Sequence, residues 1–108
     1  MPDFFDTELR VGEIVKAEIF TEAKKPAYKL WINFGEALGI KKSSAQITSL
    51  YTPQMLIGKL VIAVTNLEPK QVGPFISEVL LLGVDGKNVG DIILIAPEDK
   101  ADIGNRVH

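Results

Sequence analysis

The side chains that could do chemistry are mostly cations and hydrogen-bonding groups, and they gather around one stretch. It runs Lys41-Lys42-Ser43-Ser44-Ala45-Gln46-Ile47-Thr48. Its strand-like alternation puts Ser43, Ala45 and Ile47 on one face, small or apolar enough for a crowded interior. Lys42, Ser44 and Gln46 fall on the other face, a row suited to holding an anion or a polar polymer. The same pattern also fits a solvated edge strand whose lysines deter aggregation. Lys24, Lys25 and Lys29 lie just upstream, with Tyr28 and Trp31 between and beyond them. Rings interleaved with cations suit stacked bases and phosphates, and equally suit ordinary packing. Strand parity puts Tyr28 inside and leaves Trp31 for a ligand or a partner chain.

Material for catalysis is scarce. The chain has no cysteine, which excludes disulfides, thiolate nucleophiles and cysteine-held metals. Its one histidine is His108, so a Ser-His-Asp triad or a histidine metal site lacks ligands. Gly58-Lys59-Leu60 and Gly86-Lys87-Asn88 lack the Ser or Thr and the upstream glycine of a phosphate-binding loop. No catalytic residue, metal or cofactor is expected, and the chain is not expected to be an enzyme. Glu78 stands apart from the carboxylates near the chain ends. Beside Ser77 at the start of an apolar strand, it fits a ligand contact or a structural hydrogen-bond acceptor equally well.

Composition bounds the rest. The 108 residues allow one domain, 1–108, with 46% apolar and 24% charged residues. Net charge is −2, against the basic excess usual in nucleic-acid binders. A local lysine patch on an acidic chain remains compatible with RNA. The start, Met1-Pro2-Asp3-Phe4-Phe5-Asp6, has no basic region followed by an apolar core, so no secretory signal is expected. Residues 79–82 and 92–96 are apolar runs far too short to span a bilayer, and the cytoplasm is the default location.

Residues 9–20 read as a long strand whose apolar parity shifts after Gly12, as at a bulge or bend that lets a sheet curl. Residues 21–27 form a lysine-tipped loop. Strand two follows, with Tyr28, Leu30, Ile32 and Phe34 inward and Lys29, Trp31 and Asn33 outward. The polar-faced strand is third. Thr52 as cap, Pro53 at the first helical position and Gly58 after the last turn predict a short helix. Residues 60–67 read as a strand apolar on both faces, 68–74 as a loop carrying Lys70 and Gln71, and 76–84 and 91–96 as further strands. Phe75 fits three roles: closing the barrel floor, stacking on a base, or holding a peptide. Core closure is favoured. The expected fold is all-β, a five-stranded Greek-key barrel of the OB type with a short helix between strands 3 and 4. Apolar residues on both faces of 76–84 and 91–96 call for a cover, and burying two such side chains contributes roughly 3–6 kcal/mol. A second copy is the simplest cover, so a homodimer is expected. Residues 1–5 form a short apolar start that could fold onto the body or onto a partner.

Leu9-Arg10-Val11-Gly12, the run Ser43-Ser44-Ala45-Gln46-Ile47-Thr48, Tyr51-Thr52-Pro53, Lys70 and Ser77-Glu78-Val79-Leu80 together resemble the CsaA-type secretion chaperones. That family is built on a tRNA-binding OB domain related to the C-terminal domain of bacterial methionyl-tRNA synthetase. Val79-Leu80, where the synthetase domain tends to have Gly-Met, favours the CsaA branch. The resemblance implies a homodimer that binds tRNA and also unfolded or preprotein chains; with no phosphate-binding loop in the sequence, such holding is expected to be passive and to need no ATP. A peptide-binding chaperone with no physiological RNA is the alternative. The RNA-binding residues expected on residue chemistry and resemblance combined are Lys25, Lys29, Lys41, Lys42, Ser44, Gln46, Lys70, Ser77 and Glu78. Trp31 and Phe75 are the expected peptide-binding residues.

Overall fold

A computed structural model describes residues 6–108. The apolar start at 1–5 lies outside the described residues. Five strands form one sheet: β1 (Leu9–Ile19), β2 (Tyr28–Asn33), β3 (Ile40–Ala45), β4 (Leu60–Val64) and β7 (Leu80–Leu81), in the order β3-β2-β1-β4-β7. The helix α1 (Pro53–Leu56) sits between β3 and β4. The sheet curls into a nearly closed barrel, the OB-fold expected from the order of elements.

The inward alternation is as expected. Tyr28, Leu30, Ile32 and Phe34 are buried, together with Ile14, Ile47, Leu56, Val61 and Ala63. The Tyr28 hydroxyl, carried into this interior, donates to the Tyr51 carbonyl at 2.7 Å. Thr52 caps α1 by accepting from the Met55 N–H, Pro53 opens the helix, and Gly58 follows it at φ 86°.

Gly12 does something other than bulge. A Cβ there would lie 2.5 Å from Ile32 Cγ2 and 2.7 Å from Phe34, so glycine is what lets these side chains cross β1. The bulge falls three residues later, between Ile14 and Lys16 against β2. Upstream of it β1 pairs with β4 on one side, and on the other residues 104–107 lie along it, through Val11 N–H to Asn105, Gly104 N–H to Val11 and Val107 N–H to Leu9. Val11 and Ile14, on opposite faces of this segment, are both buried.

Two sequence-level expectations need correction. Residues 68–74 are not simply a loop. β5 (Lys70–Val72) and β6 (Phe75–Ser77) form a hairpin whose turn uses Gly73 at φ 57°. The stretch 76–84 is not one strand either. It passes through β6, β7 and the start of β8 (Gly83–Asp85), and β8 pairs with β9 (Ile92–Leu94) in a second hairpin. The break has a visible cause in a triangle of backbone bonds. Leu82 donates to Ile62, Ile62 to Ile95, and Ile95 back to Leu82, so the chain leaves the barrel at Leu82 and returns at Ile95.

Candidate nucleic-acid interface

The outer face of β1, β2 and β3 collects the cations. Register aligns Lys16, Trp31 and Lys42 across the three strands, and Glu18, Lys29 and Ser44 in the next row. Neighbouring strands lie about 4.8 Å apart, so each row sets its side chains at close, fixed spacing. Lys16 Nζ is 4.6 Å from the Trp31 ring centre. Lys42 Nζ is 5.3 Å from the Phe75 ring, and Lys29 Nζ is 5.6 Å from Phe20 and 5.8 Å from Phe75. Each contact contributes about 0.5–1 kcal/mol at an exposed site, enough to restrain an ammonium without neutralising it. Glu18 reaches Lys16 at 3.3 Å and Lys29 at 3.7 Å. Among the described residues Lys42 has no carboxylate ion-pair partner, so the face carries a local positive excess.

A second apolar cluster lies on this face, at the side where the β5–β6 hairpin packs against β2. Phe20, Ala27 and Phe75 are buried together, with Ala23, Trp31 and Val72 packed against them. Phe75 meets Phe20 and Trp31 edge-on, with centroids 5.6 and 5.7 Å apart, a favoured aromatic geometry. At 8% exposure Phe75 is a packing residue that docks the β5–β6 hairpin onto β2; it lies in this satellite cluster and not in the barrel core whose closure is favoured for it. Trp31 is half-buried and keeps part of its surface accessible.

The expected site residues divide. Lys29, Lys42 and Ser44 share the outer face. Lys25 and exposed Gln46 join it through a cleft of about 370 Å³ that Ser44, Lys24, Val72 and Gly73 also line. Glu22 stands in the same cleft. Its carboxyl is held below the usual range by its own backbone N–H and by the Thr21 hydroxyl, which donates at 3.1 Å. Lys41 is not on this face. It pairs with Ile32, an inward residue, so alternation assigns it the opposite side from Lys42. Lys70 is exposed on β5 and lines a separate groove with Leu67, Glu68 and Leu80.

Ser77 and Glu78 occupy structural positions. Glu78 Oε1 accepts the Lys42 N–H at 3.0 Å, and the Glu78 N–H donates to the Lys42 carbonyl at 2.8 Å. Ser77 Oγ accepts the Ser44 N–H at 3.1 Å. The buried Ser43 hydroxyl donates to the Val79 carbonyl at 2.9 Å. Together they satisfy the Lys42 N–H and C=O and the Ser44 N–H on the free edge of β3, which fixes where Lys42 and Ser44 stand. Lys16 is absent from the residues expected on sequence grounds. Its signal is the parity shift in β1, but only the bulge tells that Lys16 joins the Trp31 row.

Among the described residues no group of three or more His, Cys, Asp or Glu side chains is placed to hold a metal ion. Residues 9–106 match the domain family described as "putative tRNA binding domain". The chain is similar to the chaperone CsaA of Bacillus anthracis, at 45% identity and TM-score 0.88, over 100% of this chain and 99% of that one. It is similar to the CsaA chaperone of Picrophilus torridus at 44% identity and TM-score 0.88, over the full length of both. A methionine–tRNA ligase of Sorangium cellulosum is 38% identical over 106 residues, 98% of this chain. The chain spans about 15% of the length of such ligases.

Proposed function

The chain belongs to the tRNA-binding domain family, and we propose from that membership that it is a tRNA-binding protein of the CsaA type. The observation that carries this is the aligned row Lys16–Trp31–Lys42, with Lys29 and Ser44 beside it, on the outer face of β1–β3. That face, with its loops, is where this fold takes oligonucleotides. Ammoniums at strand spacing meet phosphates, while Ser44 and Gln46 offer hydrogen bonds to phosphates or 2′-hydroxyls. Lys25 extends the surface into the adjoining cleft, while Lys41, on the other side of the sheet, and Lys70, at a separate groove, stand outside it. Ser77 and Glu78 serve by holding β3 in place. As a binding domain it is assigned no reaction. No helix among the described residues is long and apolar enough to cross a membrane. We place its role in the cytoplasm.

The second half of the proposal is that the protein holds unfolded or preprotein chains, passively and without ATP. Exposed Leu80, Ile93 and Ile95 favour it, since they leave apolar surface at one side of the barrel. A second copy of the chain would cover part of that surface in a homodimer. Holding works by mass action, opposing folding of the client. Filter binding with bulk tRNA at two salt concentrations, beside an unfolded apolar client, tests both halves. Salt-sensitive tRNA binding with ATP-independent retention of the client is the expected result. Absence of tRNA binding at moderate salt would leave the peptide-holding reading alone.

A further inference from the structure

The face that bears Lys16, Lys29 and Lys42 also carries a carboxylate, and it stands between two of the cations. Register puts Glu18 opposite Lys29, two residues along β1 from Lys16 and on the same face. Its Oε2 lies 3.3 Å from Lys16 Nζ and its Oε1 lies 3.7 Å from Lys29 Nζ, one oxygen to each ammonium. Two other carboxylates on the barrel have structural tasks. Glu78 accepts the Lys42 N–H, and Glu8 accepts from Arg10 and Thr65. Among the described residues the Glu18 carboxylate takes no backbone N–H or hydroxyl, and its contacts are the two ammoniums. Nor do the lysines need it to stay in place, since Lys16 rests over Trp31 and Lys29 over Phe20 and Phe75. At 44% exposure Glu18 is open to a ligand, and exposed ion pairs of this kind add little stability. A negative charge set inside a surface for a polyanion, with no structural task, calls for a functional one.

We propose that Glu18 accepts a ribose 2′-hydroxyl and is the residue by which this face takes RNA in preference to DNA. The proposal rests on the tRNA-binding reading above and names what that site recognises. A carboxylate paired with ammoniums only accepts hydrogen bonds, so its partner on a nucleic acid is a donor. The sugar-phosphate backbone offers one such donor along its length, the 2′-hydroxyl, and DNA lacks it. The order of groups on the protein fits the covalent order of RNA. Each ribose hydroxyl stands between two phosphates, as the Glu18 carboxylate stands between two ammoniums. With RNA, Lys16 and Lys29 turn to the flanking phosphates and the hydroxyl replaces them on Glu18. With DNA, the same approach sets the carboxylate against a methylene and leaves it facing phosphates without a donor. That is the repulsive element that selectivity needs. Base donors fit the site less well. An unpaired base is seated by stacking on an open ring. Here Trp31 has Lys16 over it, and Phe20 and Phe75 are only 3% and 8% exposed.

The test titrates the whole chain, and its Glu18→Ala and Glu18→Gln variants, against two forms of one tRNA transcript in fluorescence anisotropy. One form carries ordinary ribose. The other carries 2′-fluoro groups, which keep the A-form sugar pucker and remove the donor. Comparing the two forms across the three proteins cancels whatever fluorination does to the RNA itself. Wild type should bind the fluoro form about tenfold more weakly than the hydroxyl form. Glu18→Ala should narrow that ratio by about fivefold, chiefly by binding the fluoro form more tightly. Glu18→Gln keeps an accepting oxygen, so its ratio should fall between the two. Equal binding of both forms by wild type would overturn the assignment. A gain by the same factor on both forms in Glu18→Ala would make Glu18 a general repellent of phosphate, and an equal loss on both would make it a support for Lys16 and Lys29. Either result would overturn the assignment and leave the tRNA-binding reading intact. No binding of the hydroxyl form by wild type at moderate salt would remove that reading, and the role of Glu18 with it.

Discussion

The carboxylate of Glu78 accepts the backbone N–H of Lys42 at 3.0 Å, and the Glu78 N–H returns to the Lys42 carbonyl. A side chain here substitutes for a neighbouring strand. Glu78→Ala leaves a part-buried N–H without its acceptor and should destabilise the fold by about 1–3 kcal/mol. Glu78→Gln keeps an oxygen in place and should cost less than about 1 kcal/mol. Urea denaturation of the two variants compares them. If they lose stability equally, Glu78 acts through its charge and not as a backbone acceptor.

Phe75 lies beneath the cations, within 6 Å of the Lys29 and Lys42 ammoniums and edge-on to Trp31. Phe75→Ala should cost about 3 kcal/mol, the lower end for a buried phenylalanine in a small satellite cluster. The urea midpoint should fall with an unchanged slope, since the barrel core is separate. tRNA binding should weaken as well, because the hairpin and Lys42 share this ring as a support. Full tRNA affinity in a destabilised Phe75→Ala chain would separate the packing from the site.

Glu8 gives the fold an acid sensitivity. Its carboxyl accepts from Arg10 and from the Thr65 hydroxyl, and is held below the usual glutamate range chiefly by the Arg10 hydrogen bond. A depressed folded value means the unfolded chain binds the proton first. The stabilisation is therefore complete above roughly pH 4.3, the unfolded value, and is lost as pH falls through the lower folded value. Glu8→Gln should flatten the decline in thermal midpoint across that window and lower stability at pH 7. Parallel acid profiles for the two proteins would contradict this.

Ile93 and Ile95 are 44% and 38% exposed, and Val84 is 50% exposed beside them in the β8–β9 region. Covering them by a second copy should give a dimer interface above roughly 1,000 Å² in total. Ile93→Lys should then convert the dimer to monomer in sedimentation velocity, without loss of the folded spectrum. A wild-type chain that sediments as a folded monomer at low micromolar concentration would dispose of the dimer.

Local chemistry makes much of this fold legible. Thr52, Pro53 and Gly58 announce α1 because capping, N1 proline and a left-handed glycine act within a single turn. Tyr28, Leu30, Ile32 and Phe34 announce the core face of β2 because burial follows parity. What stays hidden depends on distant partners. Ser77 and Glu78 look available for a ligand, yet residues 33 and 36 positions away along the chain take up their side chains. Lys16 is easily overlooked because the bulge after Ile14 reassigns its face. Lys41 and Lys42 invite grouping by adjacency, although strand alternation already separates them.

That separation gives the sharpest test of the RNA surface. Lys42 stands in the outer row with Trp31 and Lys16, whereas Lys41 pairs with Ile32 and belongs to the other side of the sheet. If tRNA lies on the outer face, the two lysines are unequal despite being neighbours with the same formal charge. Lys42→Glu and Lys16→Glu should each weaken tRNA binding strongly. Neutral replacement of each should lower the slope of log K against log salt by about 1, because one phosphate fewer is neutralised. Lys41→Glu should have a smaller effect, and Lys87→Glu, at the remote β8–β9 turn, the smallest. All four leave the barrel core untouched, so thermal midpoints should stay close to wild type. Filter binding at several salt concentrations reads both quantities from the same titrations. A graded order of Lys42 and Lys16, then Lys41, then Lys87 would locate the polymer on the outer face of β1–β3. Equal losses from all four would mean that net charge alone attracts the RNA, and that the aligned row confers no particular site.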